Sequence, residues 1–548
     1  MIFTSNYQID IPNQDILTFL FERTRFKEKD SIWLDGFNPN LKVTLGQTRD
    51  LTRRIGQGLR DLGIGEQRGG EDIVLSFVEN QVMVAPTLLG VLCAAGIHAT
   101  CPMTATAFEL TRQLKLSSPK ILICSPQTQK VAREAVAQSG IQDIRILTMM
   151  SESLDIVDAN GKSIISNSRL QWQKITDKAE LESTTACLVY SSGTTGVPKG
   201  VKITHYNIVA NLLQMAYHFD HFATKAISEG EYLRMPGIMQ NAVVLGITVQ
   251  TMMAMQCGMQ VYMFKKFDFP YLIECIRKYR LSTFFMVPAI WNRISNECSK
   301  EDLAGFRFVM SGASPLPKEL QAKVQKMLPE GVIMRVNWGM TETTTGAAQP
   351  APMETGTEGS SGRLLPNMQA IIIDAEGKRL GPGQPGELCC KGPNMIREYY
   401  KNPEATKSAF TQDGWFRSGD IGYFSEDGKL YIVGRSKELL KYKSHQISPT
   451  EIEAILGQCP GVADIGVIGV PDGNGNDFPR AYIVASKPSL SEKDIHDFLN
   501  AKVSNYKRLR GGVRFVNEIP RNVNAKVMRN VLKEWVENEK KSSPRAKL

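Results

Sequence analysis

Ala186-Cys187-Leu188-Val189-Tyr190-Ser191-Ser192-Gly193-Thr194-Thr195-Gly196-Val197-Pro198-Lys199-Gly200 runs from an apolar, strand-like stretch straight into hydroxyls and glycines. A buried strand emptying into such a turn exposes backbone N–H groups. Ser191, Ser192, Thr194 and Thr195 add side-chain donors, Gly193 lets the backbone approach, and Lys199 adds a cation, so the segment can hold a polyphosphate. No Gly-Lys-Ser/Thr closes it, so it is not the strand–loop–helix phosphate motif of that kind. The bland reading is a flexible Ser/Gly linker, but linkers rarely follow a buried strand and carry Pro198-Lys199-Gly200 in register.

Outward from this loop, helical stretches alternate with short apolar runs at Asp72 to Phe77, Lys120 to Cys124, Ile144 to Met149, Thr185 to Tyr190, Met259 to Phe264 and Thr283 to Val287. That alternation predicts α/β layers with mostly parallel sheets. Between Gly356 and Ser436 the texture changes to Gly-rich turns and short strands such as Gln369 to Asp374 and Gly386 to Cys390, which predicts a small β subdomain. Beyond it the pattern predicts a helix over Ser448 to Leu456, strands over Val462 to Val470 and Ala481 to Ala485, and helices starting at Ser491 and Val527. With 548 residues, at least two domains are expected.

Composition fits a globular protein, with 42% apolar and 22% charged residues. The net charge of +9 is spread along the chain and is densest from Lys540 to Lys547; it suits polyanionic substrates and predicts no nucleic-acid partner. The ten cysteines show no C-x-x-C spacing and read as reduced core residues in an intracellular setting, not as metal ligands. Met1 to Asp15 has neither basic start nor apolar core, so no secretory signal is expected. Asn241 to Phe264 is uncharged, but Gln250, Gln256 and Gln260 interrupt it. It predicts a buried helix leading into a strand, with no membrane span. The final Ala546-Lys547-Leu548 is similar to the Ser-Lys-Leu peroxisomal address, so the peroxisome, through its import receptor, is the expected location, and otherwise the cytoplasm.

The loop resembles the signature of the adenylate-forming superfamily, which includes acyl-CoA synthetases, 4-coumarate-CoA ligases, beetle luciferases and peptide-synthetase adenylation domains. Further motifs follow in family order from about residue 30 to 535. Asn337-Trp338-Gly339-Met340-Thr341-Glu342 resembles the family's Gly-Tyr-Gly-Met-Thr-Glu, which implies Trp338 stacking on adenine, Thr341 on the α-phosphate and Glu342 as a Mg²⁺ ligand. Ser311-Gly312-Ala313-Ser314-Pro315-Leu316 resembles a turn that walls the acyl and adenine pocket. Asp413 to Asp420 matches the ribose segment, where the Asp420 carboxylate can accept both hydroxyls of a cis-diol.

Gly434 to Leu439 resembles the family hinge, with Arg435 toward phosphate or ribose and Lys437 as pivot. Lys441 to Gln446 resembles a Lys-x-Lys-Gly-x-Gln stretch that approaches the nucleotide and the thiol channel, which implies Lys441 and Gln446 near ATP and Lys443 and Ser444 near CoA. Ser444 replaces a glycine, at a cost of about 1 kcal/mol if that backbone needs positive φ. Lys266 sits at the family's Pro-Lys-Phe position and is a second candidate for CoA phosphate. Lys526, in a closing segment where Ala525 replaces glycine, would bridge the substrate carboxylate and the α-phosphate.

The resemblance implies an α/β fold. An N-terminal domain over 1–436, of αβαβα layers with a small β subdomain, precedes a smaller, mobile α+β domain over 437–548. It implies ATP, Mg²⁺ and coenzyme A as cofactors and a carboxylic acid as substrate, joined first to AMP and then to a thiol. Loading of a carrier protein, a luciferase-like oxygenase and a non-catalytic nucleotide-binding protein are the rival readings. Retention of Lys199, Glu342, Asp420, Arg435 and Lys526 together speaks against the last. Aryl-CoA ligases often carry a pocket histidine, and Leu233 to Val243 has none. Gly237, Met239 and Val243 suggest an apolar lining and Asn337 a shortened or more polar wall, so an aryl, phenylpropanoid or medium-chain acid is expected.

Overall fold

Strand Thr185–Ser191, which leads into the loop, sits in a seven-stranded sheet of order Lys199–Thr204, Thr185–Ser191, Ile97–Thr100, Ile73–Phe77, Ile121–Cys124, Arg145–Met150, Asp155–Val157. The structure, a computed structural model, describes residues 1–66, 71–191, 198–436, 438–442, 445–472, 476–522 and 526–542, and among these not the side chains of Lys441, His445, Gln446 and residues 540–542. Ser192, Gly193, Thr194, Thr195, Lys437, Lys443, Ser444 and Ala546-Lys547-Leu548 lie outside the described residues, as do the side chains of Lys441 and Gln446.

The inner pairings of this sheet are parallel and both edge pairings are antiparallel. Parallel strands are covered on both faces, so Ile73–Phe77 and Ile121–Cys124 are buried at every position. On one face Leu75 and Phe77 pack with Leu110, Leu114, Ala132 and Ala135 of two outer helices. On the other, Val74, Ile121 and Ile123 belong to the largest core, shared with the helices Leu45–Asp61, Val84–Cys93 and His205–Ser228. The first two of these helices meet where Gly90 leaves no room for a side chain: a Cβ there would lie 2.5 Å from Ile55 Cγ2.

Beyond that core lies a second layer of strands. A four-stranded sheet, Leu233–Gly237, Met259–Met263, Ser31–Asp35 and Lys42–Thr44, abuts a parallel three-stranded one, Thr283–Met286, Phe308–Ser311 and Met334–Val336. Ser282 N donates to Arg234 O at 2.8 Å across the join. A third core under the helices Phe269–Tyr279, Pro288–Glu297 and Lys318–Gln325 closes the outer face, completing the expected αβαβα order.

Predicted boundaries shift by a residue or two for local reasons. The strand expected to reach Val287 stops at Met286 because Val287 is the N-cap of a helix with Pro288 in its first turn. The helix expected at Val527 begins at Arg529 because Val527 bridges to Arg521. The strand expected from Ala481 begins at Asp477, whose pairing with Pro471 overrides poor β-propensity. Within Asn241 to Phe264 the buried helix is π-helical over Gly246–Met253 and α-helical over Ala254–Cys257, then turns through Gly258 into strand Met259–Met263. No helix among the described residues is long and apolar enough to cross a membrane.

The β subdomain is a five-stranded antiparallel sheet, Phe3–Thr4, Gln369–Ile373, Gly386–Lys391, Phe416–Phe424 and Leu430–Arg435. Its first strand comes from the amino-terminal segment, where Phe3 pairs with Ala370 and stacks on Phe424 at 4.3 Å. The C-terminal part has its own sheet, Val462–Pro471, Asp477–Ala485 and Gly512–Phe515, and its own core, including Ile452, Leu456, Val467, Ile483 and Leu499. All ten cysteines are free thiols.

Candidate active site

The hairpin around the quoted loop is closed by Ser191 paired with Lys199, so residues 192–197 connect two antiparallel strands and do not lead into a helix. Lys199 Nζ lies 4.9 Å from the ring centroid of Tyr399. From the other side, the Tyr399 hydroxyl donates to Glu342 Oε1 at 2.9 Å. Burial, reinforced by the Glu342 carboxylate, pushes the phenol well above its ordinary range, so Tyr399 stays a donor at any working pH. One buried phenol thus joins the loop lysine to the expected metal carboxylate. The sequence reading did not single it out.

Glu342 sits in a short 3-10 turn, Thr341–Thr343, only 5% exposed, with Thr341 half-buried at its start. The turn is tightly constrained. Gly339 must lack a side chain, since a Cβ there would meet Thr345 O at 1.8 Å. Thr344 has φ 64° and ψ −46°, and Thr345 N donates to Thr343 O at 2.7 Å, a γ-turn that a β-branched residue rarely adopts. Asn394 clamps it: its Nδ2 donates to Thr343 O at 2.9 Å and Gly346 O at 3.0 Å, and its carbonyl accepts from Thr344 Oγ1 at 2.7 Å.

Asp420 is 7% exposed on strand Phe416–Phe424. Its Oδ2 accepts from Trp338 Nε1 at 2.8 Å, and its Oδ1 faces Arg435 Nε at 3.2 Å from the paired position of the neighbouring strand. Trp338 is itself only 6% exposed, so the expected adenine platform is largely enclosed and engaged through its N–H. Ala313 adopts φ 67°, and the Asn337 amide covers Gly312, its Oδ1 lying 2.3 Å from where a Cβ would stand. The Asn337 side chain thus fills the space over Gly312.

Lys526 is half-buried, fixed by a bond from its backbone N to Asn522 Oδ1 at 3.0 Å. Its ammonium is pushed down to about 8, first by loss of hydration and then by Arg435, while Asp420, Glu438 and Glu342 pull the other way. A C-terminal lysine is thus within electrostatic reach of Glu342, Asp420 and Arg435. Lys266 is not brought into this group. It lines a separate open cavity of about 500 Å³ with Phe37, Asp268, Pro270, Tyr271 and Glu274, in which Phe37 and Tyr271 stack at 4.5 Å.

Glu342 offers a hard oxygen ligand here, the Asp420 carboxylate being engaged by Trp338 and Arg435, and no cluster of three or more His, Cys, Asp or Glu side chains able to hold a metal occurs among the described residues. That suits an ion taking one carboxylate and filling its shell with phosphate oxygens and water.

Two family descriptions match the chain in order, AMP-binding enzyme over residues 21–400 and AMP-binding enzyme C-terminal domain over residues 451–526. The chain is 32% identical to phenylacetyl-CoA ligase epaB of Aspergillus niger, covering 97% of this chain and 99% of that one. It is 31% identical to acyl-CoA ligase azaF of the same species, covering 97% and 100%. Among solved structures, ATP-bound MatB from Rhodopseudomonas palustris superimposes with a TM-score of 0.82 at 24% identity, covering 96% and 99%.

Proposed function

This chain belongs to the AMP-binding enzyme family, and from that premise we propose which of its residues carry each half of its reaction. It is an ATP-dependent acid–thiol ligase: a carboxylic acid and ATP give an acyl-adenylate and pyrophosphate, and coenzyme A then takes the acyl group and releases AMP. The observation that carries the residue assignment is electrostatic: besides burial, Arg435 acts to depress the Lys526 ammonium, while Asp420, Glu438 and Glu342 act to raise it.

In the first half, a substrate carboxylate oxygen attacks the α-phosphorus. The new C–O–P linkage forms as the bond to pyrophosphate breaks, and pyrophosphate leaves with the electron pair. Negative charge gathers on the phosphoryl oxygens and is met by fixed donors: the Lys526 ammonium, the Thr341 hydroxyl, Lys199 and the loop Ser191 to Thr195. Asp420 accepts from the ribose hydroxyls, with Arg435 neutralising it. Glu342 would hold Mg²⁺, which supplies charge neutralisation to the polyphosphate. In the second half, the C-terminal domain turns about position 437. Lys526 withdraws, and the stretch Lys441 to Gln446, with Lys443 and Ser444, faces the adenylate while the thiol attacks the carbonyl and AMP leaves. Lys266 is assigned to a CoA phosphate only as an outlying contact.

For the acid we propose an aryl, phenylpropanoid or medium-chain carboxylate. Support comes from the phenylacetyl group in the name of one relative and from the Asn337 amide over Gly312, which would shorten or polarise the cavity. The test is AMP release with a panel of such acids, with and without CoA. Turnover dependent on CoA for one of these classes supports the reading. CoA-independent light emission, or transfer only to a carrier protein, overturns it.

A further inference from the structure

We infer that Trp338 is a positioning residue for Asp420, acting through its indole N–H in addition to any stacking by its face. The inference rests on the reading of Asp420 as the acceptor of the ribose hydroxyls. A carboxylate held at one oxygen is free to rotate about its last bond; partners on both oxygens define its plane. Asp420 has both, a hydrogen bond from Trp338 Nε1 at 2.8 Å on Oδ2 and an ion pair with Arg435 Nε at 3.2 Å on Oδ1.

The two partners differ in permanence. Arg435 is 34% exposed, ends strand Leu430–Arg435 and stands just before the proposed pivot, so its side chain is placed to change partners when the C-terminal domain turns. Trp338 is nearly enclosed in the large domain, its N donating to Ala348 O at 2.9 Å and its O accepting from Ala348 N at 3.1 Å. The indole bond is therefore the one that survives both halves of the reaction, keeping the ribose gripped while the rest of the site is exchanged. A tyrosine at this position has its only donor at the tip of the ring, not at the side, so the grip belongs to the tryptophan that this chain carries.

The test uses the full chain and nucleotide binding measured by calorimetry. AMP and 2′-deoxy-AMP are titrated into wild type, W338F and D420A. Wild type should prefer AMP and D420A should lose that preference. W338F, which keeps an aromatic face, should shrink the preference by on the order of 10-fold, the cost of one lost hydrogen bond to a charged group. Equal weakening of both nucleotides in W338F, with the preference kept, assigns Trp338 to stacking alone and overturns the inference. A preference intact in D420A instead overturns the ribose reading beneath it. A second readout needs no nucleotide. In ¹⁵N-tryptophan-labelled protein the Trp338 indole resonance, identified by its absence in W338F, should move upfield in D420A. An unmoved resonance overturns the inference even if a variant binds nucleotide poorly.

Discussion

Burial holds the Lys526 ammonium down at about 8, so in the free enzyme it is charged below that pH and neutral above it. The charged form is the one that neutralises a phosphoryl oxygen. Hence kcat/KM for ATP–pyrophosphate exchange should fall as pH rises through about 8, and the falling limb of kcat should lie higher, since bound polyphosphate favours the ammonium. A pH profile with no such limb removes Lys526 from the step. Lys526→Ala should cut the exchange by on the order of 10² or more, while thioester formation from supplied acyl-adenylate largely survives. Tyr399→Phe deletes the donor on Glu342 and should raise the Mg²⁺ concentration for half-maximal rate severalfold while leaving the KM of the acid unchanged. Lys199 was legible from its place in a donor-rich turn after a buried strand, whereas Glu342, Asp420 and Lys526 were singled out only through the resemblance of their segments to family motifs. Tyr399 was not: its partner Glu342 is 57 residues away, and an isolated tyrosine carries no local signature. For the same reason Trp338 read only as a ring, since its N–H partner lies 82 residues on.

Among elements, the turn after Glu342 stores strain that the segment around Asn394 restrains. Asn394→Ala would leave the buried carbonyls of Thr343 and Gly346 short of a donor, so a loss of about 1–3 kcal/mol in urea unfolding is expected, with adenylation impaired as Glu342 drifts. An unchanged stability would mean that Asn211, which also donates to Gly346 O at 2.8 Å, suffices. The parallel strands were legible because two-sided burial writes continuous apolar runs, and the helix expected at Ser491 begins there because that hydroxyl caps it, accepting from Asp494 N. The π-helical register of Gly246–Met253 was not legible, because an uncharged apolar run reads alike in either helical register. The strand Phe3–Thr4 also escaped, being two residues long and paired with a partner far along the chain.

For the whole molecule, the proposed turning of the C-terminal domain requires that it move as one body. Arg529 would provide for this, reaching Glu438 at 3.0 Å and Glu453 at 2.7 Å, and so tying the stretch beside the proposed pivot to the domain's interior. Burial raises the Glu453 carboxyl above its ordinary value and Arg529 opposes the shift. Arg529→Ala leaves that carboxylate without its cation. It should damage adenylation and thioester formation alike, in contrast to Lys526→Ala. Assaying the two half-reactions separately checks this, and a selective loss of one would count against a rigid unit.

The pairing of Phe3 with Ala370 has a practical corollary for anyone handling the protein. Clipping the first few residues, or pulling on them with a bulky fusion partner, would uncover Gln369 and Ala370 as a raw sheet margin whose unsatisfied backbone invites self-association. Since Asp420 and Arg435 ride on that same sheet, preparations trimmed there would be expected to clump and to lose nucleotide affinity together.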